Sequence, residues 1–126
     1  MLWGQKVEEL LDRFCKHLTA ERNVSPFTVR NYRQDILRGQ HSFFTFLRSE
    51  KVDSLGDVDH FLLRRYVARL LEQGVARSSV ARKLSAIRSL YRFLVQGKMV
   101  ASDPTAVLRA PKPEKRLPSF LSTQET

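Results

Sequence analysis

A chain of 126 residues, 42% hydrophobic and 28% charged, is long enough to bury a modest core as one domain without metal or disulfide staples. Twenty-two Lys and Arg against 13 Asp and Glu leave a net charge of +9, so the surface favours a polyanion, nucleic acid first. No apolar run approaches the ~20 residues of a spanning helix, and the basic residues are spread over several elements instead of one membrane-facing stripe, which argues against a membrane protein.

The first helix is expected from about Trp3 to Arg22: Val7, Leu10, Leu11, Phe14 and Leu18 fall on one face, while Glu8, Glu9, Asp12, Arg13 and Lys16 point away. Residues 1–9 enter that helix too early and too acidically for a secretory leader, so a cytoplasmic location is expected. Cys15 is the single cysteine and lies near the apolar side, where an inert thiol is the ordinary role.

Ser25-Pro26 is a start signal, a capping hydroxyl followed by proline at the first helical position. In the helix that follows, Val29, Tyr32 and Ile36 face inward, and Arg30, Asn31, Gln34 and Arg38 share an outer face whose charges and amides suit phosphates and base edges. Gly39 interrupts or bends this helix, since glycine in a helix interior costs roughly 1 kcal/mol relative to alanine. Phe43, Phe44, Phe46 and Leu47 resume the apolar pattern and are read as packing residues, because nothing resembling a strand displays them as a base-stacking platform.

Asp57 or Asp59 can cap a third long helix, which carries Leu62, Leu63, Tyr66, Val67, Leu70 and Leu71 and stops at Gly74. The fourth, capped by Ser78 or Ser79 and closed by Gly97, has two faces. Val80, Leu84, Ile87, Tyr91 and Leu94 form an apolar stripe, and Ser78, Arg82, Ser85, Ser89 and Arg92 lie opposite with Arg88 at the border. Short hydroxyls interleaved with arginines suit a surface that lies close to a phosphate backbone and reaches the bases beyond it; periodicity alone is equally consistent with an ordinary solvated face.

Asp103-Pro104 starts a short fifth helix through Leu108, and residues 111–118 form a basic, proline-punctuated linker. Ser122-Thr-Gln-Glu125 has the spacing of a capping box, the start of a further helix. The fold class expected is all-α, a small bundle of four main helices. Three segments follow: a helical DNA-binding domain over 1–100, a linker over 101–121, and the start of a truncated further domain at 122–126.

Catalytic signals are missing from the sequence. His17, His41 and His60 sit on separate elements without zinc-ligand spacing, and there is no phosphate loop or activated-serine motif. Tyr32, Tyr66 and Tyr91 belong to apolar stripes, as buried rings with satisfied hydroxyls do. No metal, no cofactor and no catalytic residue is expected in this chain.

Ser25-Pro-Phe-Thr-Val-Arg-Asn-Tyr32-Arg-Gln-Asp35, then Phe43-Phe-Thr-Phe-Leu47, then Arg82-Lys-Leu-Ser-Ala-Ile-Arg-Ser-Leu-Tyr-Arg-Phe-Leu94, then Asp103-Pro104, Pro111-Lys112 and Leu117-Pro-Ser-Phe-Leu121 together resemble the N-terminal half of the tyrosine site-specific recombinases. The Xer branch and its phage and integron integrase relatives are most similar. The resemblance covers nearly the whole chain through loose motifs in a specific order. It implies a SAM-like core-binding domain that closes one side of a clamp around duplex DNA, with the second and fourth long helices in the major groove. It carries over Thr28, Arg30, Asn31 and Gln34 on one helix, and Ser78, Ser79, Arg82, Lys83, Ser85 and Arg88 on the other, as DNA contacts. Lys112, Lys115 and Arg116 would follow the backbone in the linker. It also implies a parent enzyme whose tyrosine attacks a DNA phosphate from a domain outside this sequence, and a tetrameric synaptic complex with itself or a paralogous recombinase.

Two departures are visible. The segment from Asp35 to Phe43 is longer than the usual family spacing by roughly a helical turn, and Asp103 replaces the asparagine most often found before that proline. A basic protein-interaction bundle and a small RNA-binding domain are the alternative functions. Arg82→Ala with Arg88→Ala is expected to abolish most duplex binding and leave helicity intact.

Overall fold

The computed structural model describes residues 2–108, with side chains from Val7 onward. Among the described residues it is all-α: α1 (Leu2–Ala20), α2 (Pro26–Leu37), α3 (Phe43–Ser49), α4 (His60–Glu72) and α5 (Arg77–Gln96), with one 3-10 turn at Leu55–Asp57.

The apolar stripes converge on one core. Val7, Leu11, Phe14 and Leu18 of α1, Ile36 of α2, Leu63, Tyr66 and Leu70 of α4, and Val80, Leu84, Ile87, Leu90, Tyr91 and Leu94 of α5 are all buried, at the helical spacings expected of them. α1 ends two residues before the expected Arg22, where Asn23 takes a left-handed conformation (φ 54°) and the Val24 N–H donates to the Leu18 carbonyl at 2.9 Å, which closes the last turn.

Ser25 caps α2 as expected, its hydroxyl oxygen accepting from the Thr28 N–H at 3.2 Å with Pro26 at the first helical position. The segment around Gly39 resolves into a clean break. α2 stops at Leu37, Arg38 is extended, Gly39 adopts φ 90°, and Ser42 caps a separate α3 by accepting from the Thr45 N–H at 3.2 Å. The segment between Asp35 and Phe43 is thus the end of one helix and a turn into the next. Phe43, Phe44, Phe46 and Leu47 are buried, which settles the aromatics as packing residues.

Two further boundaries differ from the sequence reading. α5 begins at Arg77 with Ala76 as its N-cap and no side-chain cap bond, so Ser78 and Ser79 lie inside the first turn and do not cap. Residues 103–108 form hydrogen-bonded turns, not a fifth helix: Ala106 N–H donates to the Asp103 carbonyl at 3.2 Å and Leu108 N–H to the Thr105 carbonyl at 3.1 Å. The Asp103 carboxylate accepts from both the N–H and the hydroxyl of Thr105, at 2.8 and 2.6 Å. So short a segment forms too few bonds to offset helix nucleation.

Two buried tyrosines fasten the loops to the bundle. The Tyr66 hydroxyl donates to the His41 carbonyl and the Tyr91 hydroxyl to the Leu55 carbonyl, each at 2.7 Å. Burial pushes both phenols well above the ordinary tyrosine range, with the negative charges of Asp35 and Asp103, respectively, adding to the shift. Their stripes are core, as the pattern predicts.

Candidate nucleic-acid interface

α2 and α5, the helices whose outer faces carry the mixed amide, hydroxyl and cationic residues, pack against each other. Their seam is organised by one carboxylate. The Asp35 side chain, 4% exposed, accepts from Arg82 through two bonds, Nε to Oδ2 at 2.9 Å and Nη2 to Oδ1 at 3.0 Å, and from Lys83 Nζ to Oδ1 at 3.1 Å. A buried carboxylate needs this compensation, because desolvation alone costs several kcal/mol per ion. Arg82 gains charge stability in return: its hydrogen bonds to Asp35 raise its pKa against the opposing effect of burial.

The helical repeat places the surrounding residues. Asn31 and Thr28 lie one and two turns before Asp35 on α2, and Ser78 and Ser85 flank Arg82 on α5. Ser78, Ser85, Arg30 and Gln34 are exposed, while Thr28, Asn31 and Ser79 are partly covered. Among the described residues Arg30 is a free cation apart from its position 6.0 Å from the ring centroid of Phe27, which is itself 66% exposed. The fold therefore brings the two helices that carry the candidates together at the Asp35 seam.

Within that surface the cations divide. Lys83 is 11% exposed and spends its charge on Asp35, whereas Arg82 is paired but 49% exposed. Arg88 turns away from the seam and donates to the Leu108 carbonyl, anchoring the turn at 103–108. Arg82→Ala and Arg88→Ala therefore each remove a contact of the fold, so the pair is expected to lower stability as well as duplex binding. Arg92 remains exposed beside Asp103 and Thr105. Lys112, Lys115 and Arg116, with the capping box at 122–125, lie outside the described residues.

Residues 11–98 match the family described as phage integrase, N-terminal SAM-like domain. The chain belongs to that family. It is similar to tyrosine recombinase XerC of Pelotomaculum thermopropionicum, 39% identical over 116 residues that make up 91% of this chain and 38% of the relative. The same named protein of Pseudomonas fluorescens is 40% identical over 120 residues (95% of this chain, 39% of the relative). That of Pelobacter propionicus is 42% identical over 123 residues (96% and 39%). The chain thus spans about two fifths of the length of the curated relatives it matches. No solved structure gives a significant match.

In this SAM-like domain, sequence reasoning missed Asp35, which is flanked by inward-facing Tyr32 and Ile36 and finds its partners 47 and 48 positions away. A lone carboxylate next to an apolar stripe was the available signal. It also placed Arg38 on the contact face, whereas Arg38 reaches back to Glu8 of α1 at 3.5 Å. Arg33 joins the same acidic edge, 2.9 Å from both Glu8 and Asp12. Burial works against the Arg33 charge, but hydrogen bonds to Asp12, Cys15 and Glu8 outweigh it and leave its pKa raised. Cys15 is half-buried beneath that guanidinium, with Nη1 3.7 Å from Sγ. None of the helices among the described residues is long and apolar enough to cross a membrane.

Proposed function

We propose that the chain is the DNA-binding half of a tyrosine site-specific recombinase, gripping one side of duplex DNA with the outer faces of α2 and α5 in the major groove. The observation that carries this reading is the convergence of the two polar faces at the Asp35 seam, on a chain of net charge +9. Arg30 and Arg92 supply free charge to phosphates; Asn31, Gln34, Ser78 and Ser85 are short or amide side chains able to approach base edges; Thr28 and Ser79 lie at the helix starts.

The domain boundaries follow from the same reading. Residues 1–100 bind DNA, 101–121 link with Lys112, Lys115 and Arg116 along the backbone, and 122–126 open a catalytic domain. The complete protein then acts in the cytoplasm as a tyrosine recombinase, in a tetramer formed with itself or a paralogous recombinase, and the present chain catalyses nothing alone.

Fluorescence anisotropy of this chain with duplex DNA and with structured RNA, over a series of salt concentrations, tests the proposal. Arg30→Ala with Arg92→Ala is the informative variant, because neither side chain is tied by a hydrogen bond or ion pair to the described residues. Duplex affinity is expected to fall steeply with salt, and the slope of the double variant to be shallower by about 0.9 for each phosphate it no longer neutralises. Equal or tighter binding to RNA favours the RNA-binding alternative; no binding to either at low salt favours a protein-interaction bundle.

A further inference from the structure

The Asp35–Arg82 contact is more specific than a neutralised buried charge requires. Asp35 occupies the Nε and Nη2 side of the guanidinium, at 2.9 and 3.0 Å. Arginine carries five N–H donors in a rigid planar fork, so this grip leaves the other edge, two hydrogens on Nη1 and one on Nη2, without a partner among the described residues. That side chain is 49% exposed although its carboxylate partner is 4% exposed, so the guanidinium bridges from the buried acid to the surface.

We infer that Asp35 is a positioning residue for base reading: by holding the Nε–Nη2 side of Arg82, it presents the Nη1–Nη2 end of the fork to the paired O6 and N7 acceptors of a guanine in duplex DNA. The inference rests on the α2–α5 seam being the DNA-facing surface. Guanine matches the open edge because it offers two adjacent acceptors in the major groove.

Three features favour a base over a phosphate as the acceptor. Asp35 cancels one of the two charges contributed by Arg82 and Lys83, so the cluster displaces few counterions and is a poor phosphate clamp compared with the free Arg30. A guanidinium already fixed by two hydrogen bonds loses little further freedom on docking, which is what directional recognition needs. Ser78 and Ser85 flank Arg82 with short exposed side chains, so the α5 backbone can come close enough for an arginine held low against the seam to reach the groove floor.

The test is selection of the chain against a library of duplexes randomised at every position, with wild type, Arg82→Lys and Asp35→Asn carried in parallel and the salt dependence measured for each. Arg82→Lys keeps a cation for Asp35 but has no planar fork; Asp35→Asn keeps the shape but releases the arginine from its charged partner. Wild type is expected to prefer guanine at a fixed position by roughly five- to 150-fold, the range of a good bidentate contact. Arg82→Lys loses that preference at an unchanged salt slope. Asp35→Asn loses it too while binding duplex of any sequence at least as tightly, with a steeper slope from the uncovered charge, an outcome that a purely structural role for Asp35 does not produce.

The inference is overturned if Arg82→Lys or folded Asp35→Asn retains the preference, if Arg82→Lys lowers affinity uniformly with a shallower slope as a phosphate contact would, or if wild type binds duplex without any guanine-specific position. Failure of wild type to bind duplex at low salt overturns the DNA reading itself. Thermal melting accompanies each variant, and should Asp35→Asn not fold, Asp35→Glu takes its place: it keeps the charge but displaces the carboxylate by one methylene, and is expected to weaken the same preference.

Discussion

Removing the Arg82 side chain is the perturbation whose cost follows most directly from the geometry. In Arg82→Ala, Asp35 loses two of its three charge-assisted bonds and keeps Lys83 at 3.1 Å. Complete loss of a partner from a buried ion pair costs about 3 to 5 kcal/mol. Here the surviving lysine, together with water entering the half-exposed space left by the arginine, reduces that to about 2 kcal/mol. For a domain of this size the melting temperature should fall by roughly 8 to 16 °C. Urea and thermal unfolding followed by far-ultraviolet circular dichroism measure it. A double-mutant cycle with Asp35→Asn isolates the pair, with a coupling of at least about 1 kcal/mol expected. High salt should leave most of the effect, since buried charges are poorly screened. A variant that melts within about 2 °C of wild type, or a coupling indistinguishable from zero, refutes the claim that the seam is held by this carboxylate.

Tyr91→Phe deletes the 2.7 Å bond to the Leu55 carbonyl without opening a cavity and is expected to cost about 1 to 2 kcal/mol in urea unfolding. Gly39→Ala meets no atom within 4 Å at the new Cβ, so its cost comes from φ 90° alone and should be about 1 kcal/mol, with the α2–α3 turn the first amides to lose hydrogen-exchange protection. Tyr66 and Tyr91 are buried as neutral phenols with folded pKa values raised above the unfolded value. Their contribution is therefore whole below about pH 10 and is lost as pH rises beyond it. Tyrosinate absorbance should then rise together with loss of helical signal; ionisation of both rings in a still-helical chain near pH 10 would contradict their burial.

The core was legible in the sequence because burial on a helix has a period. Val80, Leu84, Ile87, Tyr91 and Leu94 announce one face of α5 without reference to any other part of the chain, and the same holds for Val7, Leu11, Phe14 and Leu18. Caps whose signal is local were legible too: Ser25 and Asp59 cap α2 and α4 as read. Ser78 and Ser79 misled because a serine near a helix start is also compatible with the first turn, and the chain enters α5 at least two residues earlier, with Ala76 as the cap and Arg77 the first helical residue. Residues 103–108 misled because a cap followed by proline opens a turn and a helix alike.

The candidate site was only half legible. Which helix faces are polar could be read from spacing, and those faces do come together. Which cations on them are free could not, because Asp35, Arg82 and Lys83 meet across 47 and 48 residues of sequence and Arg88 finds a carbonyl 20 positions away. Charge sign is local information; charge pairing is tertiary. A basic face read from periodicity therefore overstated how many of its arginines and lysines were available to a ligand.

Amide chemical-shift mapping of the chain, titrated with duplex DNA at low ionic strength, tests the central claim most directly. The account predicts that the largest perturbations fall on residues 28–34 of α2 and 78–92 of α5, with the exposed side of α4 unchanged. Perturbations gathered on the α1 or α4 surface, or none at saturating duplex, would contradict it.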